Sequence, residues 1–306
     1  MRNRLLILAL NIFLFICILL VVLQLYLYIT ENTLDLNFNF TNITSLILIY
    51  SLIFLCSCQA WKTSFKSTTG KSLKFTFAIS QTAHMLTSKY VPGKIWGFVA
   101  RGISAPMYGH NTESTIHASI FEQIITIQSG FLLGVSLLAY SFNEYAGILL
   151  FIFFHIIHFH IYSLGVHILL FPVMRIPIIA KKIKNIEKIQ QINVKAFTQS
   201  YYYYSLLWIL IVFSLSIFLE LLVIEYNTKL LFAIGGAYII SVLAGFLAIF
   251  APGGIGVREG AFVALTLNIL PMHDAIEISI LIRIVLTIYD LIAGVTGHLT
   301  HVFSSK

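Results

Sequence analysis

The chain has 306 residues, of which 58% are hydrophobic and 10% charged, against about 25% charged residues in an ordinary soluble domain. That composition excludes a water-soluble enzyme or binding module as the main body of the protein and leaves an integral membrane protein. The formal charge of +7 does not signal a nucleic-acid partner, because the basic residues form short clusters between apolar runs, where they act as topology signals.

Seven long apolar segments follow one another, at roughly 5–29, 43–60, 118–141, 145–171, 201–224, 230–250 and 276–301, each long enough to cross a bilayer. The first, after Arg2 and Arg4, resembles a signal peptide but is too long and lacks a small-x-small cleavage site, so it is expected to remain as a helix. Lys62, Lys66, Lys71 and Lys74 mark one loop, and Arg175, Lys181, Lys182, Lys184, Lys188 and Lys195 another. Both are assigned to the cytoplasm together with the N-terminus. The opposite loops hold Glu31, Asp35, Glu144 and Glu225 but a single base, Lys229. An eighth, short crossing at 255–270 would bring the C-terminus back to the cytoplasmic side. The expected fold is an all-α, polytopic membrane bundle of about 7–8 transmembrane helices, forming one domain over residues 1–306.

Two regions break this pattern. Segment 75–117 is interrupted by the stretch Lys89 to Arg101, which contains Pro92 and Gly93, and a second stretch, Ala251 to Gly260, contains Pro252, Gly253, Gly254 and Gly256. Proline removes a backbone donor and glycine relaxes φ. Backbone freed in this way at membrane depth persists only when buried in protein or lining a wet cavity. Broken or re-entrant helices are therefore expected at both places. The shared Pro-Gly-x-Ile register, each followed by a glycine and then an arginine, suggests an inverted repeat, and paired interruptions of this kind point to a transport site.

Charged residues inside the apolar segments point the same way. Glu122, Arg258, Glu259, Arg283 and Asp290 lie where a charge is costly and normally faces a pathway, a ligand or another charge. The bland alternative is that Glu122 with Arg258, or Arg283 with Asp290, are pairs that only lock the bundle. Glu220 is expected to be a solvated helix end. His155, His158, His160 and His167 are expected to pack rather than bind a metal, since no second histidine box accompanies them. Thr69-Gly-Lys-Ser72 lacks the first glycine and the preceding strand of a phosphate loop, so no nucleotide cofactor is expected. Trp61 and Tyr201 to Tyr204 fit interfacial aromatic belts. Cys17, Cys56 and Cys58 read as packed or lipid-facing thiols.

Taken in order, Tyr90-x-Pro92-Gly93-Lys94-x-Trp96-Gly97, Ser119-x-x-Glu122, Pro252-Gly253-Gly254-x-Gly256-Val257-Arg258-Glu259-Gly260 and Arg283 resemble the membrane domain of the lysylphosphatidylglycerol synthase (multiple peptide resistance factor) family. The resemblance implies a flippase of the bacterial inner membrane that moves a phospholipid or lipid-linked glycan between leaflets, with no cofactor and with an oligomer allowed. The family's soluble aminoacyl-transfer domain does not fit in this length, so lysyl transfer is not expected. Relatives follow the glutamate of the Ser-x-x-Glu motif with arginine, where this chain has Gln123. On this reading Lys94, Arg101 and Arg258 contact an anionic group, Glu122 and Glu259 orient them or meet a cationic head group, and Arg283 and Asp290 complete the site. Two rivals remain: a membrane-embedded glycosyl- or head-group transferase, and a non-catalytic subunit of an envelope lipid or polysaccharide pathway.

Overall fold

The computed structural model describes residues 39–90, 95–174, 193–248 and 251–304. The segment 5–29 with Arg2, Arg4 and Cys17, the residues Pro92, Gly93 and Lys94, the basic run from Arg175 to Lys188 and the side chain of His167 lie outside that description. The described residues contain nine α-helices and no strand. These are α1 (Phe40–Thr69), α2 (Phe75–Ser88), α3 (Trp96–Ser104), α4 (Thr112–Phe142), α5 (Glu144–Met174), α6 (Val194–Leu221), α7 (Thr228–Leu247), α8 (Val257–Thr266) and α9 (Met272–Ser304).

Four of the long helices start in the same way. Asn39, Asn111, Asn193 and Asn227 stand at the N-caps of α1, α4, α6 and α7, and each side-chain oxygen accepts from a backbone N–H of the first turn, which satisfies a donor the helix itself leaves orphaned. Helix α1 ends at Gly70, whose left-handed conformation (φ 70°) closes the last turn. Lys62 and Lys66, expected in a loop, belong to α1 instead. The helix continues past the apolar run because Trp61, Ser64 and Phe65 are buried against the rest of the bundle.

The element order divides into two similar halves, α1 to α4 and α6 to α9, joined by α5. In each half a long helix is followed by two shorter ones and then a helix of 31 or 33 residues. The packing repeats with the order. Helix α1 lies against α6; α2 packs on α9 as α4 packs on α7; α3 fits against both α2 and α4 as α8 fits against both α7 and α9. Exchanging the halves maps each of these contacts onto another or onto itself. Small residues allow the close approaches. A Cβ on Gly236 of α7 would lie 2.9 Å from the Gly134 carbonyl of α4, and one on Gly297 of α9 would lie 2.2 Å from Ala83 Cβ of α2, the device by which helices associate in lipid.

Within each half the two shorter helices fold back on one another. Gln81 on α2 exchanges hydrogen bonds with Arg101 on α3, and Gly97 lies against Met85, so the two helices run antiparallel. Likewise Gly245 near the end of α7 touches Arg258 at the start of α8, while Tyr238 stacks edge-on with Phe262, ring centroids 6.1 Å apart. The stretch 255–270, considered as an eighth crossing, is therefore the return arm of a hairpin. Its 10-residue helix is about 15 Å long, half the bilayer core. Apolar side chains such as Ile47, Leu48, Leu149, Ile156, Ile292 and Val295 are exposed, as expected for a surface facing lipid. Among the described residues five helices are long and apolar enough to cross a membrane, and Glu144–His158 is a shorter apolar stretch.

Candidate functional site

The two hairpin tips meet. Helix α7 ends at Leu247, and after it the chain makes a single 3-10 turn over Pro252–Gly254 before α8 begins. Gly253, Gly254 and Gly256 take φ values of 59°, 74° and 80°, a region open to glycine at little cost. The turn seats Gly253 against the other tip. Its N–H donates to the Lys89 carbonyl at 2.9 Å, and its own carbonyl accepts from Arg283 Nη1 at 3.1 Å. A Cβ there would come 3.0 Å from Arg283 Nη2. Gly254 lies as close to Gly245 on α7, where a Cβ would meet backbone at 3.0 Å.

A cavity of about 270 Å³ opens beside this junction. Its walls bring together Lys89, Arg101, Glu122 and Arg258 with the aromatic rings of Tyr204, Trp208, Tyr238 and Tyr289. Three groups of charges surround it. The first is sealed: Arg101 and Glu122 form an ion pair at 1% and 4% side-chain exposure. Tyr204 also donates to Glu122, Arg101 Nε donates to the Gln81 carbonyl at 3.0 Å, and the guanidinium lies 3.8 Å over the Trp61 ring. Trp61 Nε1 in turn donates to Gln81 Oε1 at 2.8 Å.

The second group is looser. Glu259 Oε1 accepts from Arg283 Nη1 at 3.2 Å, with the two side chains 25% and 14% exposed. Glu259 Oε2 also accepts from the Gly256 N–H at 2.7 Å, capping α8. Arg283 Nη2 is buried without a hydrogen-bond partner. In the third group Asp290, fully buried, accepts from Tyr90 Oη at 2.5 Å and from Lys89 Nζ at 2.6 Å. Lys89 itself remains one-third exposed, toward the cavity.

The remaining cation is Arg258. It is half-buried, lines the cavity, and has no ion-pair or hydrogen-bond partner among the described residues; its Nε is buried and unsatisfied. Neither pairing of the bland alternative forms. Glu122 is bound by Arg101 and not by Arg258, and Arg283 is bound by Glu259 and not by Asp290. The reason is geometric: each partner comes from the helix packed alongside, whereas Arg283 and Asp290 share one helix face without reaching each other. Glu259 holds Arg283 rather than its neighbour Arg258, because consecutive residues on a helix point in different directions.

The aromatic-belt assignments are corrected as well. Trp61, Tyr201 and Tyr204 are buried, and two of them hold the Arg101–Glu122 pair. His155 and His158 pack against Tyr201 and Tyr202, with His158 stacked on Tyr201 at 4.3 Å and its Nδ1 paired with the His155 carbonyl. Among the described residues no group of three or more His, Cys, Asp or Glu is placed to hold a metal. Glu220 is exposed at its helix end, where Tyr226 Oη donates to it at 3.1 Å. Cys58 is buried and Cys56 partly so.

Lys89 and Tyr90 were read only as part of the first break and its motif, without a role in the site, and Gly245 was not singled out. Lys89 carried a signal: it is a lysine at the last turn of an apolar helix, directly before a proline-glycine break. A wider hollow of about 580 Å³ lies at Pro106, His110, Glu113 and His117, but it has no Lys or Arg and lies away from both tips.

No curated protein and no solved structure matches the chain. The family described as the lysylphosphatidylglycerol synthase TM region matches residues 39–294, a span that includes both hairpins and every charged residue of the three groups. The chain is a multi-pass helical membrane protein and belongs to the lysylphosphatidylglycerol synthase transmembrane-region family.

Proposed function

We propose that the protein is a translocator of phospholipid across the bacterial cytoplasmic membrane, with the cavity between the hairpin tips as its head-group site and the N-terminus on the cytoplasmic side. The observation that carries this reading is Arg258, a guanidinium kept half-buried in an apolar bundle with no carboxylate assigned to it. Burying an unpaired charge is costly, and a cation held at that cost in a cavity is suited to an anion that comes and goes. A guanidinium meets phosphate oxygens bidentately, the adjacent N-terminus of α8 adds a positive dipole end, and Lys89 supplies a second cation. The volume of about 270 Å³ lies at the lower edge of small-ligand sites, about 300–1,000 Å³. It suits a head group with the acyl chains left in lipid. A lipid-linked glycan presents the same phosphate and would use the same contacts.

The test is reconstitution in proteoliposomes with fluorescent phosphatidylglycerol. Arg258→Lys keeps the charge and loses the fork. It is expected to insert and purify as the unmodified protein does but to lose most translocation. Full translocation by a well-folded Arg258→Lys protein would overturn the assignment.

A further inference from the structure

The Lys89–Asp290 pair differs from the others in having one member in the cavity and one behind it. Asp290 is fully buried and does not line the cavity; Lys89 does, and is one-third exposed. Both of Asp290's hydrogen bonds fall on Oδ2, and Oδ1 is buried with no partner. The groups facing the carboxylate are Lys89 and Tyr90 at the first tip, Tyr50 of α1, Tyr238 of α7, and Tyr289 of its own helix, with Arg258 and Arg283 beyond Lys89. Lys89 is the only ammonium or guanidinium in contact with it among the described residues.

We propose that Asp290 is a proton-binding site coupled to lipid binding through Lys89, an inference that rests on the head-group reading of the cavity. An anionic phosphodiester entering beside Arg258 competes with Asp290 for the Lys89 ammonium. When Lys89 turns toward the phosphate, the carboxylate is left without a counter-charge in an apolar interior, a state costly enough that such groups neutralise. One proton is taken up on the unpartnered Oδ1, and Tyr90 continues to donate to Oδ2. The balance is complete: one lipid anion and one proton enter, the Lys89–Asp290 ion pair is replaced by a Lys89–phosphate ion pair and a neutral acid, and the net charge of the site is unchanged. Lipid movement is then driven by a pH gradient and is insensitive to membrane potential.

The experiment adds phosphatidylglycerol to the purified protein in phosphatidylcholine nanodiscs and follows protons with an indicator dye. Phosphatidylcholine and inorganic phosphate serve as controls that separate a lipid head group from a free anion. The unmodified protein is expected to take up about one proton per phosphatidylglycerol bound, and its affinity to fall by up to about tenfold per pH unit over the range in which that proton is taken up, levelling off once the complex no longer holds it. Asp290→Asn, which mimics the neutral acid, is expected to bind with an affinity independent of pH and without proton uptake. Binding of phosphatidylglycerol by the unmodified protein with no proton uptake overturns the proposal, and needs no variant to fold. So does pH dependence that persists undiminished in Asp290→Asn. Neither result touches the head-group reading. Absence of phosphatidylglycerol binding at every pH removes both, and uptake with inorganic phosphate alone assigns the site to a free anion.

Discussion

The two halves place an ion pair between the same elements with opposite signs. In the first half the cation, Arg101, is on the return arm α3 and the anion, Glu122, is near the start of the following helix α4; in the second the anion, Glu259, is on the return arm α8 and the cation, Arg283, near the start of α9. Their surroundings diverge. Arg101 and Glu122 are closed in by Trp61, Gln81, Ser119 and Tyr204. Glu259 and Arg283 are several times more exposed and have next to them the unpaired Arg258. One framework thus serves two ends. The first pair has its donors taken up within the protein, whereas beside the second pair Arg283 Nη2 and Arg258 Nε are left without a partner, and it is there that the proposed head-group site would find its donors.

The largest effect expected from breaking this contrast is at the sealed pair. Glu122→Ala leaves the buried Arg101 guanidinium without its counter-charge, and removal of one member of a buried pair costs about 3–5 kcal/mol. A large fall in the unfolding midpoint of the detergent-solubilised protein, or failure to accumulate in the membrane, is expected. A midpoint close to that of the unmodified protein would show that water reaches the pair and that the two halves are less different than their exposures indicate.

A smaller loss is expected at the junction of the tips. Gly253→Ala puts a Cβ on a residue with φ 59° and within 3.0 Å of Arg283 Nη2. A left-handed conformation costs a non-glycine residue about 1–2 kcal/mol, and moving Arg283 aside loosens its bonds to the Gly253 carbonyl and Glu259. Stability is expected to fall by about that amount, and translocation to fall more than stability, since the strain is applied at Gly253, which lines the cavity. Loss of stability with translocation intact would place the working part of the hairpin elsewhere.

Much of this arrangement was legible in the sequence. The proline and glycine residues of the second break state their own backbone requirement, and a charge inside an apolar run is conspicuous wherever it falls, so the hairpin at Gly253 and the charges from Arg101 to Asp290 were found as positions. Their partners were not. Whether Glu122 meets Arg101 or Arg258 depends on which helix packs beside α4, and that is settled by small-residue contacts such as Gly134 with Gly236, which have no charge signature. Trp61 and Tyr204 were misplaced for a related reason. An aromatic residue near the end of an apolar run reads as an interfacial anchor, yet on the inward face of this bundle such residues serve a buried ion pair: Tyr204 donates to Glu122, and the Trp61 ring lies under the Arg101 guanidinium. Helix-end lysines such as Lys66 also blurred the boundary of α1, because a long side chain allows the charge to leave the membrane while its backbone stays helical.

The smallest expected change in stability, and the sharpest separation of the two halves, is at Arg258. In a bundle held together by its ion pairs, replacing any intramembrane arginine would be damaging, as is expected at Arg101. Among the described residues Arg258 has no such partner, and both its Cβ and its Nε lie against Gly245, where an added Cβ would come 3.1 Å and 3.4 Å from them. Arg258→Gln keeps the first part of the side-chain stem and removes an uncompensated charge. The unfolding midpoint of the lipid-free protein is therefore expected not to fall, since the cost of holding an unpaired charge half-buried is removed with the charge. What should disappear is the response to lipid. A ligand present at about 100 times its Kd stabilises the folded state by about 2.7 kcal/mol, so phosphatidylglycerol titrated into the unmodified protein raises its midpoint while the Arg258→Gln protein stays close to its lipid-free value. If instead Arg258→Gln unfolds as readily as Glu122→Ala with no lipid present, Arg258 is a structural cation like Arg101, and the second half of the molecule is as sealed in function as the first.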